Sequence, residues 1–246
     1  MMPPASGWEP PSFPDRVAGV PVVAELLVIR HGQSTANVAF PQADAGLSES
    51  GLTYRDADVE LTDVGVRQAE AIGRWLGAVP EDRLPEIAIT SPYLRARETW
   101  RIAAKISGRD LPAPVTDDRL VDRLMGDLEM MTRAAIAVRY PDEPGRRLAA
   151  GDYRYRPPGG ETFGDIAERL RSFLADLNRE HAGKRAVVVA HDAVVLTKRA
   201  VIEGLDWDQV AAVAATGSVL NGSITRFDGS TGRLVLDRYN AVDHLR

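Results

Sequence analysis

Cysteine is absent from the 246-residue chain. This absence excludes disulfide bonds, thiolate metal sites and a cysteine nucleophile, and it is typical of proteins kept in a reducing compartment. We therefore expect a cytoplasmic location. Neither a membrane span nor a signal peptide is expected. No apolar run is long enough to cross a bilayer, and no basic segment precedes an apolar one at the N-terminus.

A strong charge of one sign is also missing. The formal net charge is −5, and neither a run of Lys and Arg nor an extended basic face stands out. Nucleic acid is therefore not an expected partner. A small anionic substrate stays open, because such a molecule responds to the local field of its site. No feature of the sequence predicts an oligomeric state.

Proline is concentrated at the N-terminus, where six of the first 21 residues are proline. Proline this dense prevents helix formation and sheet pairing, so residues 1–21 are predicted to form an extension outside the core. Residues 22–246 have the length of one domain. The hydrophobic share of 44% and the charged share of 26% are those of an ordinary globular protein.

Short β-branched runs alternate with helical patterns from residue 22 onward. Strands are predicted at Ala24–Ile29, Glu86–Ile89 and Val187–Ala190, and a hairpin at Ser223–Phe227 and Leu234–Tyr239. Between them, helical patterns follow Thr62, run through Leu94–Ile106, follow Thr162 and run through Val194–Gly204. The alternation predicts an α/β fold, a three-layer α/β/α sandwich with a mostly parallel central sheet.

Two stretches lack a clear period. Residues 38–60 are interpreted as a polar loop, and residues 120–160 mix short helical pieces with Arg, Tyr and Pro. Long irregular segments in a compact domain commonly form lids or binding elements. Residues 120–160 are therefore predicted to be a lid that sets specificity. Among the helices, those after Thr62 and through Leu94–Ile106 are expected to bury Val64 and Ile106.

Three predicted strand ends carry cationic or imidazole side chains. Arg30 and His31 follow the first strand, Arg95 lies about one turn beyond the second, and His191 follows the third. The carboxyl ends of parallel strands share one edge of the sheet, where ligands bind. Guanidinium groups clamp phosphate oxygens, and imidazole forms covalent intermediates. The sequence therefore predicts a phosphoryl-transfer site at this edge, with His31 as its candidate nucleophile.

The segment Leu27–Asn37, with its Arg30-His31-Gly32 core, resembles the signature of the histidine phosphatase superfamily, which includes phosphoglycerate mutases. Matching segments follow in the family's order over roughly residues 24–226. They are 61–69 (LTDVGVRQA), 90–99 (TSPYLRARET), 159–163 (GGETF) and 188–191 (VVAH). An ordered set of this kind is far more specific than a lone Arg-His-Gly triplet.

The resemblance implies roles for individual residues. His31 would become phosphohistidine, while Arg30, Arg95 and His191 would form the phosphate pocket. Asn37 matches a position that contacts the phosphoryl group, and Asp122 falls where the family has its general acid. No cofactor or metal ion is implied, and no cluster of His, Asp and Glu with metal-ligand spacing stands out.

Several assignments keep alternatives. The general acid could instead be one of three neighbouring acids, namely Asp127, Glu129 and Glu161. Asp192, where the family often has glycine, could orient an arginine, raise the pKa of His191 or cap the next helix.

Nearer the first strand, Ser34 and Thr35 could cap a helix or present their N–H groups to phosphate. The run Tyr153–Arg156 could line the site or be a solvated loop.

The favoured function is a phosphatase acting through phosphohistidine on a small or medium organic phosphomonoester. A phosphoglycerate mutase is the first alternative. It is less favoured because this chain has Leu124 and Met125 where the family's mutases have His and Tyr. The second alternative is a non-catalytic protein that binds phosphorylated ligands. Retention of both histidines and both arginines disfavours it.

Overall fold

A computed structural model describes residues 21–45 and 50–246 of the chain. Except for Pro21, the predicted extension at residues 1–21 lies outside these ranges. The described strands are β1 Glu25–Arg30, β2 Ile87–Thr90, β3 Val115–Thr116, β4 Arg185–Ala190, β5 Ile224–Asp228 and β6 Val235–Ala241. They form one sheet in the order β3-β2-β4-β1-β5-β6.

Strands β3, β2, β4 and β1 run parallel to one another, whereas β5 is antiparallel to both of its neighbours, β1 and β6. Strand β1 pairs with β4 in parallel, with Arg30 opposite Ala190, and β4 pairs in the same sense with β2. On its other side β1 pairs with β5 in the antiparallel sense, and β5 continues into the hairpin with β6. The carboxyl ends of β1, β2 and β4 therefore lie side by side at one edge.

Helices cover both faces of the sheet, as the predicted fold class requires. The described helices are α1 Thr35–Ala45, α2 Asp63–Ala78, α3 Leu94–Ser107, α4 Arg133–Arg139, α5 Glu143–Ala150, α6 Phe163–His181, α7 Asp192–Glu203 and α8 Trp207–Ala215. Buried apolar side chains of α2 and α3 pack against one face. Those of α6, α7 and α8 pack against the other.

The structure corrects part of the predicted secondary structure. Residues predicted as a loop over 38–60 include most of α1, which contains Pro41, and a short 3₁₀ turn at Asp56–Asp58. Helix α8 and the two-residue strand β3 were not predicted. Val64 and Ile106 are exposed rather than buried, at 39% and 42% exposure.

Residues 120–160 contain a 3₁₀ turn at Gly126–Leu128 followed by α4 and α5. The predicted short helical pieces are therefore present. Within the described residues, no helix is both long enough and apolar enough to cross a membrane.

Candidate active site

His31 and His191 occupy equivalent positions just beyond β1 and β4. The strand register sets Arg30 opposite Ala190, and the His31 backbone N–H donates to the Ala190 carbonyl over 2.9 Å. The two imidazole centroids are consequently 5.2 Å apart. Both side chains are buried, His31 at 2% exposure and His191 at 0%. The predicted pairing of the two imidazoles at one sheet edge is therefore what the fold produces.

The tautomer of His31 follows from one contact. Its Nδ1 lies 2.7 Å from the carbonyl oxygen of Gly32, and a carbonyl only accepts hydrogen bonds, so Nδ1 carries the proton. Nε2 is then left with a lone pair, which accepts a hydrogen bond from Nε of Arg95 over 3.2 Å. Burial, followed by the nearby charges of Arg95, His191 and Arg30, holds the pKa of His31 well below its usual value. The ring is therefore neutral and nucleophilic at Nε2.

Close backbone packing fixes the turn that carries His31. The Gly32 N–H donates to Oγ1 of Thr99 on α3, and a Cβ on Gly32 would lie 2.5 Å from the carbonyl oxygen of Gly65 on α2. A Cβ on Gly65 would lie only 2.0 Å from the carbonyl oxygen of Gln33. The two glycines let the start of α2 pack directly on the turn, which restricts the orientation of the imidazole.

Arg95 is the most heavily bonded side chain of the site. It lies at the start of α3, where β2 delivers it to the same edge, and it is 3% exposed. Besides its bond to His31, Nη1 lies 2.9 Å from Oδ1 of Asp56, and Nη2 lies 3.0 Å from Oδ2 of Asp122. These carboxylates raise the pKa of Arg95 against the opposing effect of burial. Arg95 therefore keeps its charge inside the protein.

His191 contacts Ser91, Tyr93 and Asp122. Its Nε2 is 2.8 Å from Oγ of Ser91, and its ring meets the Tyr93 ring edge-on at 5.1 Å. Its Nδ1 is 3.4 Å from Oδ2 of Asp122, without hydrogen-bond geometry to any described residue. Burial and the charges of Arg95 and Arg30 lower the pKa of His191. The proposed raising of this pKa by Asp192 is therefore outweighed by burial and the arginine charges.

Asp122 is the acid that lies beside His191 and Arg95. Its Oδ2 faces both His191 and Arg95, and the loop that carries it is held by Arg169, whose Nη2 donates to the Asp122 carbonyl over 3.2 Å. Arg169 in turn makes a forked ion pair with Glu161. The carboxylate of Glu161 thus anchors the loop instead of facing the imidazoles. Glu129 lines a neighbouring pocket.

Arg30 is the last residue of β1 and directly precedes His31. Its Nη1 donates to the Val219 carbonyl, and its buried Nε has no hydrogen-bond partner among the described residues. Its Nη2 is 3.9 Å from Oδ2 of Asp192, whose Oδ1 accepts from the neighbouring Ala193 N–H. Asp192 thus contacts an arginine, and His191, not Asp192, is the N-cap residue of α7.

Asn37 lies in the first turns of α1, close to the phosphate edge. Its Oδ1 accepts from both the backbone N–H and the hydroxyl of Ser34, and from Nδ2 of Asn221 over 3.0 Å. Nδ2 of Asn221 also lies 3.2 Å from the His31 carbonyl oxygen. Ser34 therefore caps α1, and the backbone N–H of Thr35 is bonded to the Glu60 carbonyl. Both of these N–H groups therefore already have acceptors within the protein.

Some residues that contact the site are not identified by the sequence patterns. Asp56, Ser91 and Asn221 each bond a predicted site residue. Ser91 lies within the matched segment 90–99, which could have identified it, whereas Asp56 and Asn221 lie outside every matched segment. Of the run Tyr153–Arg156, Tyr153 lines the adjacent pocket, while Tyr155 is buried against Glu143. Among residues 21–45 and 50–246, no group of three or more His, Asp or Glu side chains has an arrangement that could hold a metal ion.

The family model of the histidine phosphatase superfamily (branch 1) matches residues 26–242. A metal-independent phosphoserine phosphatase from Arabidopsis thaliana is 26% identical over 223 residues, which cover 91% of this chain and 84% of that protein. A 2,3-bisphosphoglycerate-dependent phosphoglycerate mutase from Gloeobacter violaceus is 30% identical over 223 residues, covering 89% and 94%.

Solved structures agree. The mycobacterial glucosyl-3-phosphoglycerate phosphatase in complex with VO3 aligns with a TM-score of 0.68 and 30% identity, covering 89% of this chain and 100% of that chain. The resemblance and the fold class predicted from the sequence are confirmed.

Proposed function

Because the chain belongs to branch 1 of the histidine phosphatase superfamily, we propose that it hydrolyses organic phosphomonoesters through a phosphohistidine on His31. The observation that carries the proposal is the position of Nε2 of His31. This nitrogen carries a lone pair, faces Arg95, and lies in a buried pocket that His31 shares with His191. A neutral imidazole nitrogen among fixed cations suits attack on a phosphate dianion.

In the first step Nε2 of His31 attacks phosphorus, and the bond between phosphorus and the ester oxygen breaks. Arg30, Arg95 and His191 donate to the equatorial oxygens, where the transition state carries its charge. Asp122 is the general acid that gives a proton to the leaving alkoxide, and the alcohol departs. Asp122 suits this role because its Oδ2 lies between His191 and Arg95.

In the second step a water attacks phosphorus from the side that the alcohol has left. The Asp122 carboxylate takes the water proton, the P–N bond breaks, and inorganic phosphate is released. The Nδ1–H bond to the Gly32 carbonyl keeps Nε2 as the leaving nitrogen throughout. Ester and water are thus converted to alcohol and phosphate, with His31 and Asp122 regenerated.

Hydrolysis is preferred over transfer of the phosphoryl group to a second substrate hydroxyl, which is the step that a mutase requires. Leu124 and Met125 stand where the family's mutases have His and Tyr, and Met125 lines the pocket beside the site. The substrate is a small phosphorylated molecule, and residues 120–160 form the lid over it. We place the protein in the cytoplasm because the chain contains no cysteine.

The experiment compares wild type, His31→Ala and His181→Ala for phosphate release from a panel of phosphomonoesters. His181, at the end of α6, is the matched control because it is a histidine outside the site. We expect His31→Ala to lose at least about 1,000-fold in kcat/KM and His181→Ala to match wild type. Equal rates for wild type and His31→Ala would refute the nucleophile. Interconversion of phosphoglycerates without phosphate release would replace the phosphatase with a mutase.

A further inference from the structure

A cavity lies beside the phosphate site. Its volume is about 500 Å³, within the range of pockets that enclose small organic ligands. Asp56, Asp122 and Asp192 belong to its lining, and each of them also contacts Arg95 or Arg30. A phosphate held by these arginines would therefore extend its alcohol portion into this cavity.

The charged side chains of the cavity are mainly acidic. Four carboxylates line it, those of Asp56, Asp122, Glu129 and Asp192. The Glu129 carboxylate makes no hydrogen bond or ion pair with any residue of the described ranges, although its charge contributes to the raised pKa of the exposed Arg55. It is close enough to raise the pKa of Asp56, together with burial and Asp122. The cavity thus holds negative charge beyond what the phosphate arginines balance.

The cation in the lining is Arg123, and protein carbonyls already use its donors. Its Nε donates to the Glu161 carbonyl over 2.9 Å, and Nη2 donates to the Tyr155 carbonyl over 2.6 Å. The guanidinium carbon also lies 4.9 Å from the Phe163 ring centroid. With two of its three nitrogens fixed in this way, Arg123 is poorly placed to receive a carboxylate from a substrate.

The remaining walls are apolar and aromatic. The residues that line it include Met125, Met130 and Met131 and the aromatic residues Phe40, Tyr153 and Phe163. Met130 is held at φ 59°, a backbone conformation that residues with a side chain adopt only uncommonly. Unbranched methionines adapt to the shape of an apolar ligand and pack well against aromatic rings.

We propose that this cavity selects phosphomonoesters whose alcohol has an apolar or aromatic body and carries an amine instead of a carboxylate, and that Glu129 is the residue that recognises the amine. The inference rests on the proposed phosphatase function. A protonated amine gains from the acidic lining, whereas a carboxylate meets like charge and, in the described lining, only Arg123, two of whose three nitrogens are already bonded. The apolar body is covered by the methionines and aromatic rings.

Three aryl phosphates with closely similar leaving groups test the inference. The first is tyramine phosphate, whose side chain ends in a cation. The second is para-ethylphenyl phosphate, whose side chain is uncharged. The third is the phosphate ester of para-hydroxyphenylpropanoic acid, whose side chain carries an anion at the same distance from the ester as the cation of the first. We expect kcat/KM to fall by about 10-fold at each step of this series. In Glu129→Gln the ratio of the cationic to the neutral ester should shrink to about 3-fold. In Glu168→Gln, which removes an exposed charge from α6, the ratio should stay as in wild type.

The outcomes separate the two proposals. Equal kcat/KM for the three esters, or a preference for the anionic one, would overturn the selection and leave the phosphatase function intact. An unchanged ratio in Glu129→Gln would remove Glu129 as the recognising residue. No His31-dependent hydrolysis of any phosphomonoester would overturn both proposals.

Discussion

Asp56 holds both Nη atoms of Arg95 in a forked ion pair, with Nη1 2.9 Å from Oδ1 and Nη2 3.2 Å from Oδ2. The same donors are needed to clamp phosphate oxygens. Asp56 is therefore a competitor of the substrate for Arg95, and its carboxylate also repels the phosphate dianion. Binding of phosphate requires Arg95 to exchange at least one of these bonds.

Replacing Asp56 by Asn should tighten the binding of inorganic phosphate. The amide removes the repulsive charge and weakens the hold on Arg95, so we expect the inhibition constant for phosphate to fall by about 3- to 10-fold. Asp58→Asn is the matched control, because Asp58 lies in the same 3₁₀ turn but pairs with Arg55 at the surface. Weaker phosphate binding in Asp56→Asn would mean that Asp56 positions Arg95 for the substrate.

The lowered pKa of His31 predicts a neutral ring under mildly acidic conditions. Nitrogen NMR at about pH 5.5 should find Nδ1 protonated and Nε2 unprotonated, although an ordinary histidine is mostly charged there. Arg95→Met removes the largest nearby charge effect and should raise the titration midpoint, while burial keeps it below the usual 6.5. A wild-type ring with both nitrogens protonated at this pH would contradict the site electrostatics.

Lys198 is fully buried on α7, with Nζ 4.7 Å from the Phe173 ring centroid and no hydrogen-bond partner among the described residues. Burial lowers its pKa from 10.5 to about 7. Between pH values of about 7 and 10.5, the Lys198 amine is protonated in the unfolded chain and neutral in the folded protein. Unfolding therefore takes up a proton, and the free energy of unfolding should increase as pH rises through this window.

Lys198→Met should remove this pH dependence and raise the free energy of unfolding near neutral pH by about 1–4 kcal/mol. Urea unfolding at the two ends of the window measures both effects. Lys105→Met, at an exposed position of α3, is the matched control and should retain the slope of wild type. A destabilised Lys198→Met with an unchanged slope would show that the amine contributes a favourable contact.

Gly65→Ala should destabilise the fold and misplace the nucleophile. The added Cβ would overlap the Gln33 carbonyl at 2.0 Å, so the backbone beside His31 must shift. We expect a loss of about 1–3 kcal/mol in the free energy of unfolding and a lower kcat. Gly145→Ala on α5 is the matched control. A Cβ at position 145 meets nothing within 4 Å, so this variant should leave the free energy of unfolding unchanged or raise it slightly. Equal stability of the two variants would refute the close approach.

The sequence predicts the sheet edge well because strong local signals coincide there. His31 and His191 follow buried β-branched runs, which form parallel neighbours with Arg30 opposite Ala190. The capping residues Thr62 and Thr162 are likewise found at the starts of α2 and α6. Local patterns of this kind decide where a strand ends, and parallel pairing then brings the ends together.

Other features depend on contacts that no local pattern encodes. Asp56 meets Arg95 across 39 residues of sequence, and its own 3₁₀ turn has no apolar period. Helix α1 buries little besides Ala43 and contains Pro41, so its sequence looks like a polar loop. Helix α8 did carry a signal, since Asp206 and Gln209 form a capping box.

Trapping the intermediate tests the central claim most directly. Protein mixed with a reactive aryl phosphate is quenched in alkali, where phosphohistidine survives, digested, and the phosphoryl group is located by mass spectrometry. We predict one phosphoryl group, attached to Nε2 of His31 and absent from His31→Ala. Phosphate release at full rate with no label on His31, or with the label on another residue, would contradict the account.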